Sequence, residues 1–359
     1  MNTHQIYIGT YTGPMTDGVH RPDGIFLLHM NPASGLLEKI GSFPSGPNPS
    51  FIEIHPRRPF LFAVNELLDE GFVSSFSIEP QTARLELNNR QSTHGGFPCY
   101  LCIDPSGKWL MVANYKSGSL SVFPIHPDGS LGSITDLVQH HGKGPNTARQ
   151  EAAHAHSVRF DPEGKYLLAA DLGADKVYVY TLDTKQGRLL PHDPIGLELN
   201  PGVGPRHLQF HPYLHRLYIS DELDSTVTVC SWNQPKGFLE VLQTISTLPQ
   251  DWHKHNDVAD LHLTPTGRFL YVSNRGHDSL AIFMVGEVDG LLTSLGFIST
   301  EGRWPRNFAI APSGDYVVVA NQKSDSVIGF HIDLLTGQLY RVGEPIQVPS
   351  PVFVKFIDS

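Results

Sequence analysis

The sequence predicts an all-β fold: a seven-bladed β-propeller with four-stranded antiparallel blades, in which the N- and C-terminal strands share one blade and close the ring. Three observations predict it. A unit of about fifty residues recurs, plainest in the segments beginning at Arg206, Ala259 and Arg306. Each unit runs apolar-alternating strand, proline turn, second apolar strand, Asn or Asp, then a Ser-rich turn and a third strand. The two chain ends each carry half of one further unit, and joining them removes the open sheet edges of an unclosed array.

In chain order, Ile6-Tyr7-Ile8-Gly9-Thr10-Tyr11 has the second-strand pattern of Leu270-Tyr271-Val272-Ser273-Asn274-Arg275. Six complete units follow, marked by Pro56, Pro105, Pro162, Pro212, Pro265 and Pro312. Asp104-Pro105-Ser106-Gly107 and Asp161-Pro162-Glu163-Gly164 suit a type I turn, with proline fixing φ at the second position and glycine relieving the fourth. Pro351-Val352-Phe353-Val354-Lys355-Phe356 repeats the first-strand pattern of Pro205-Arg206-His207-Leu208-Gln209-Phe210, and so completes the unit begun at the N-terminus. No stretch carries a long, capped helical stripe. A propeller uses residues 1–359 as a single domain.

Composition narrows the function classes. The 33 glycines and 28 prolines suit many turns, and 40% hydrophobic residues support a packed core. A net charge of −10 without a basic run disfavours a nucleic-acid surface. Neither a signal peptide nor a membrane-spanning segment is visible, so a cytoplasmic protein with no membrane partner is expected. Three cysteines make no disulfide framework. Cys99 and Cys102 form a C-x-x-C inside a predicted strand, where that spacing sends the side chains to opposite faces, and it has no second pair.

The repeat also serves as a ruler. Positions kept for folding look alike in every unit; positions recruited for chemistry differ and cluster. Six residues before each proline stand Ser50, Cys99, His156, Arg206, Ala259 and Arg306, with Val352 in the split unit. Ten residues after it stand Glu66, Tyr115, Leu172, Glu222, Arg275 and Gln322, with Tyr11 in the split unit. Just before this second position come Asn65, Asn114, Asp171, Asp221, Asn274 and Asn321, near-constant residues expected to bond the local turn. Pairing across the turn is expected to set the sixth residue before proline opposite the seventh after it. With the first strand innermost, both variable positions then ring one channel mouth.

Ionisable groups concentrate at His156, Arg206, Glu222 and Arg275, with Arg306 and Glu66 as further candidates. Converging arginines suit a carboxylate or phosphate, and a glutamate with a histidine can move protons near neutral pH. Structural salt bridges between blades would account for the same charges. His154 and His156 are expected on one strand face, a possible metal pair that no carboxylate or cysteine completes. His253-Lys254-His255 and His140-His141 read as solvated loop residues. Asp260 follows a channel position and reads as a strand brace or indirect contributor to the site. No G-x-S-x-G, P-loop or G-x-G-x-x-G is present.

Five segments carry a resemblance: Ala155-His156-Ser157 ahead of Asp161-Pro162, Gly204-Pro205-Arg206-His207, Asp221-Glu222-Leu223-Asp224-Ser225, Ala259-Asp260-Leu261-His262 and Ser273-Asn274-Arg275. The chain resembles, over nearly its whole length, the lactonase-type seven-bladed propellers, which include bacterial 6-phosphogluconolactonases and fungal 3-carboxy-cis,cis-muconate lactonising enzymes. Motif by motif, the resemblance places the family's histidine on His156, its arginines on Arg206 and Arg275, and its glutamate on Glu222. It implies hydrolysis of a small anionic sugar-acid lactone, most simply 6-phosphogluconolactone, without metal or other cofactor, by a monomer or weak homo-oligomer. Glu222 would activate water, Arg206 and Arg275 would bind the anion and oxyanion, and His156 would shuttle a proton; the Glu222 and His156 roles are interchangeable at this stage. Arg306, Glu66, His154 and Asp260 would contact substrate. Glu222→Gln is expected to cut turnover without changing thermal stability. A muconate-type cycloisomerase using the same residues, and a non-catalytic binding propeller, are the competing readings.

Overall fold

The computed structural model describes residues 3–15 and 18–357. Seven four-stranded antiparallel sheets surround a central channel. Blade 1 is the split one: Pro351–Phe356 lies innermost and pairs antiparallel with His4–Thr10, which leads outward to Asp23–Met30 and Leu37–Pro44. Blades 2 to 7 begin with the innermost strands Ile52–Ile54, Pro98–Ile103, Ala155–Phe160, Pro205–Phe210, Asp257–Leu263 and Pro305–Ile310. The one helical turn among the described residues is Gln322–Ser324.

The proline turns form as their residues dictate. Gly107 N donates to Asp104 O (2.8 Å) with Gly107 at φ +73°, and the Asp104 carboxylate accepts from Lys108 N and Trp109 N, both at 2.7 Å. Aspartate thereby satisfies amides that the hairpin leaves unpaired. In blades 2 and 5 a histidine takes this place: His211 Nδ1 accepts from Tyr213 N and Leu214 N, while Nε2 meets Gly267 O of the next blade at 3.1 Å.

The core lies in wedges between blades. One cluster joins Tyr271, Leu280 and Ile282 of blade 6 to Phe308, Val319 and Phe330 of blade 7; another joins Ile6, Ile8 and Val354 of blade 1 to Val318 and Ala320 of blade 7. Second-strand tyrosines pin neighbours together. Tyr7, Tyr218 and Tyr271 are fully buried, and each hydroxyl donates to a carbonyl in an outer turn of the following blade: Ala83, Gly290 and Gly337, at 2.7–2.8 Å. Such a ring buries apolar area while its hydroxyl keeps a partner.

The near-constant Asn/Asp position reaches further than the local turn. Asn274 Nδ2 donates to Thr247 O (2.8 Å) and Asn321 Nδ2 to Thr300 O (3.0 Å), tying each blade to the connection that precedes it. In blade 4 the residue is Asp171, and the partner is the ring of His140, at 2.8 Å. His140 is therefore buried and stacked on Tyr178, not solvated as its loop position suggested; its neighbour His141 is exposed. The His253-Lys254-His255 segment is exposed, as expected.

Hairpin register differs from the expectation by two residues. Val158 pairs with Ala169 and Ser157 with Ala170, so His156 faces the Ala170–Asp171 end of its neighbour. This brings the first variable ring closer to the second.

Candidate active site

A β-bulge falls on the first variable ring. Cys99, His156, Arg206, Arg306 and Val352 are each the unpaired extra residue where ladder register shifts. In blade 6 the shift spans Ala259 and Asp260 together. A bulge re-aims its side chain and breaks strict alternation. Consecutive residues therefore both face the channel at Arg206 and His207, Arg306 and Asn307, and Val352 and Phe353, which line one small cavity with Ser50, Phe51 and Cys99. Cys99 and Cys102 are free thiols, and Cys99 Sγ lies 3.9 Å from His156 Nδ1.

Glu222, on the turn leaving the second strand of blade 5, is the hub. Its amide donates to Gly204 O (2.8 Å) and its carbonyl accepts from Val258 N (3.2 Å), which fixes the residue between blades 5 and 6. Oε2 lies 2.8 Å from Arg206 Nε and 2.8 Å from Arg275 Nη2. Oε1 pairs with Arg149 Nη2. The Arg206 Nε–H is not aligned on the oxygen, so that contact is an ion pair without a well-directed hydrogen bond. Burial alone would raise the Glu222 pKa, but Arg275, Arg206 and Arg149 outweigh it and hold the carboxyl well below the usual range. Burial and the neighbouring Arg275 pull Arg206 down to about 10, which leaves it a cation at neutral pH.

His156 is buried beside this cluster. Burial, then the charges of Arg206 and His207, hold its imidazole well below the ordinary histidine value, so the ring is neutral at pH 7. Tyr115 packs edge-on against it, ring centroids 5.5 Å apart.

Each of the three predicted mouth arginines packs its cation on a flat ring. Arg275 Cζ lies 5.8 Å from the Trp304 ring centre, Arg306 Cζ lies 5.3 Å from that of Tyr11, and Arg206 Nη1 approaches the His207 imidazole. Such packing orders a guanidinium without consuming its charge. Arg306 has no carboxylate within 4.0 Å among the described residues, and Glu66 and Glu222 act on its charge only from further off. Glu66 is nearby but occupied: Oε2 accepts from Tyr11 Oη (3.1 Å) and Ser50 Oγ.

Two sequence candidates sit elsewhere. His154 precedes the strand and stacks on Tyr115 at 4.6 Å, with Nδ1 on Tyr115 O (2.9 Å) and Nε2 3.3 Å from Glu151. The bulge at His156 separates the two imidazoles, and no group of three or more metal-ligating side chains gathers among the described residues. Asp260 lies one layer below the mouth, hydrogen-bonded to His207, His262 and Asn307.

Arg149 is the residue the ruler missed. It rides on the connection 140–154, the longest between blades, and its Nη1 also lies 3.6 Å from Asp257 Oδ1. Gln150 anchors the loop through Leu172 O (2.9 Å) and Asp175 Oδ1 (2.7 Å). An insertion has no repeat position, so only its unusual length signalled it.

The network also alters the expectation for Glu222→Gln. One carboxylate compensates three guanidiniums, so losing its charge leaves buried cations unpaired, a change that costs about 3–5 kcal/mol for a broken buried pair.

Residues 5–356 match the family described as "Lactonase, 7-bladed beta-propeller". The chain is 34% identical over 351 residues to a 6-phosphogluconolactonase of Bacillus subtilis (strain 168), covering 98% of this chain and 97% of the relative. A periplasmic gluconolactonase of Pseudomonas aeruginosa is 33% identical, with a TM-score of 0.92 over 99% of both chains. A solved Lactobacillus plantarum protein is also 33% identical, with a TM-score of 0.91 over 99% of this chain and 100% of that one.

Proposed function

The chain belongs to the seven-bladed β-propeller lactonase family, and from that premise we propose that it hydrolyses a sugar-acid lactone, 6-phosphogluconolactone or a related aldonolactone, at the Glu222 channel mouth. The observation that carries this reading is a neutral, buried imidazole beside several ordered guanidiniums that share one carboxylate.

The chemistry follows from those charges. Water attacks the lactone carbonyl carbon as His156 takes its proton. The tetrahedral oxyanion forms against Arg206 and Arg275, whose rigid donors need no reorganisation when charge appears; one such donor contributes about 10²–10³ in rate. Collapse breaks the ring C–O bond, and the His156 imidazolium returns the proton to the leaving alkoxide. The products are the open hydroxy acid, ionised to a carboxylate, and a proton released to solvent. Both Glu222 oxygens are engaged by guanidiniums, so Glu222 serves as the anchor of the arginines, and His156, which makes no ion pair among the described residues, takes the base role. Arg306, which makes no ion pair among the described residues, offers its guanidinium to the substrate's phosphate or carboxylate.

A metal has no part in these steps, so chelators are expected to leave turnover unchanged. The test is an NMR screen of phosphorylated and unphosphorylated aldonolactones together with muconates. Accelerated loss of a lactone supports the reading; turnover of a muconate alone would replace it with the cycloisomerase.

No helix among the described residues is long and apolar enough to cross a membrane. With one similar protein described as periplasmic, a cytoplasmic site of action for this chain is a proposal, decided by fractionating cells.

A further inference from the structure

Directly beneath the mouth, Phe51, Tyr100, His207, Asp260, Asn307 and Phe353 stopper the channel. Phe51 packs on Tyr100 and Phe353 with ring centroids 4.0 and 4.2 Å away, and the Tyr100 and His207 rings are 5.1 Å apart. Asp260 is the polar centre of this layer, and four donors satisfy it. Oδ1 accepts from His207 Nδ1 (2.7 Å) and Leu261 N (2.9 Å); Oδ2 accepts from His262 Nε2 (2.8 Å) and Asn307 Nδ2. Its own amide donates to Ser273 Oγ at 3.0 Å. A carboxylate so fully bonded has one orientation, and it fixes the His207 ring with the proton on Nδ1.

Arg206 Nη1 lies 3.0 Å from Nε2 and 3.5 Å from Nδ1 of that ring. Nearness to both nitrogens puts the guanidinium over the ring face, out of line with the Nε2 lone pair. Nη1 also donates to Ala259 O (2.7 Å), Nε faces Glu222, and Nη2 has no protein partner among the described residues. Arg206 needs such support because it is a bulge residue, outside the ladder pairing that orients its neighbours. A neutral ring accepts a cation on its face; an imidazolium there would repel it.

Resting on the lactonase reading above, we propose that His207, held by Asp260, is a positioning residue for Arg206: its neutral ring is the platform that aims the free Nη2 edge at the substrate's carbonyl oxygen. Misplacement of such a donor by about 1 Å costs on the order of 10² in rate.

The experiment compares wild type, His207→Ala and His207→Phe by steady-state kinetics on the lactone, and determines the crystal structure of the alanine variant. His207→Leu, which fills the volume without a flat face, replaces it if alanine does not fold. The expected result is kcat lower on the order of 10²-fold in the alanine or leucine variant, with KM changed less than about threefold. Phenylalanine restores kcat to within about tenfold of wild type, and Arg206 moves about 1 Å or more where the ring is missing. Wild-type kcat without the ring, equal impairment of the phenylalanine variant, or an unmoved Arg206 would overturn the proposal. Should wild type open no lactone, the lactonase reading falls, and the position of Arg206 in the variant crystal still decides this one.

Discussion

Arg206 Nε and Glu222 Oε2 stand 2.8 Å apart with both side chains only 3% exposed, so neither charge can relax into water if the other is lost. This pair couples the site's chemistry to the stability of the ring.

Glu222→Gln is accordingly expected to lower both kcat and stability. Turnover falls by about 10²–10³, the scale of one lost oxyanion-site interaction, because Arg206 and Arg275 lose their shared anchor. Unfolding free energy falls by about 3 kcal/mol at pH 7. The Glu222 pKa is lower folded than unfolded, so its contribution is complete above about pH 4.3 and is lost as pH falls through the folded value. Denaturant melts of both proteins from pH 7 downward check this: their difference holds to about pH 4 and then narrows.

The pH–rate profile follows from His156. A base works when neutral, and burial with the adjoining cations keeps this ring neutral to well below the ordinary histidine range. After subtraction of spontaneous hydrolysis, kcat is expected to be flat from about pH 6 to 8, where a free imidazole would titrate near 6.5. An acid limb centred near 6.5 would reject this environment for the catalytic base.

Arg306 is expected to read the substrate's anionic group. Arg306→Gln raises KM for a phosphorylated lactone by about 10- to 100-fold, the scale of one charge-assisted bond, and changes kcat less. Equal KM changes for phosphorylated and unphosphorylated lactones would show that Arg306 does not discriminate the phosphate.

Asp221 occupies the position where four other blades carry Asn, and its Oδ1 has no partner. Burial raises its pKa to about 8 against the opposing Thr228 and Thr226 hydroxyl bonds. The fold retains a proton that the unfolded chain releases near pH 3.9, so this group makes wild type less stable as pH rises from about 4 to 8. Asp221→Asn is expected to be more stable than wild type by about 1–2 kcal/mol at pH 8, with a smaller gain at pH 5. Melting temperatures at the two pH values decide it.

The architecture was legible because each blade repeats the same local conflict between apolar alternation and a proline turn, and because Ile6–Tyr11 and Pro351–Phe356 visibly lack each other. The cluster of His156, Arg206, Arg275 and Glu222 was legible for the complementary reason: each departs from what most other repeats carry at its position. Strict strand alternation hid the stopper layer. His207 and Asn307 follow variable positions, so alternation turned them away from the channel until bulges at Arg206 and Arg306 put both residues inside it. Asp260 was singled out, but its bonds to His207 and Asn307 span three blades and leave no trace in spacing. Arg149 belongs to an insertion, where a repeat offers no reference.

The most direct test of the central claim is the rate of ring opening of 6-phosphogluconolactone and glucono-δ-lactone, followed by NMR at pH 7 with wild type and His156→Asn and corrected for the spontaneous reaction. The account predicts that wild type accelerates at least one of them and that His156→Asn loses about 10²-fold or more of that acceleration while remaining folded. A wild-type protein that accelerates neither, or a His156→Asn variant that matches it, contradicts the account.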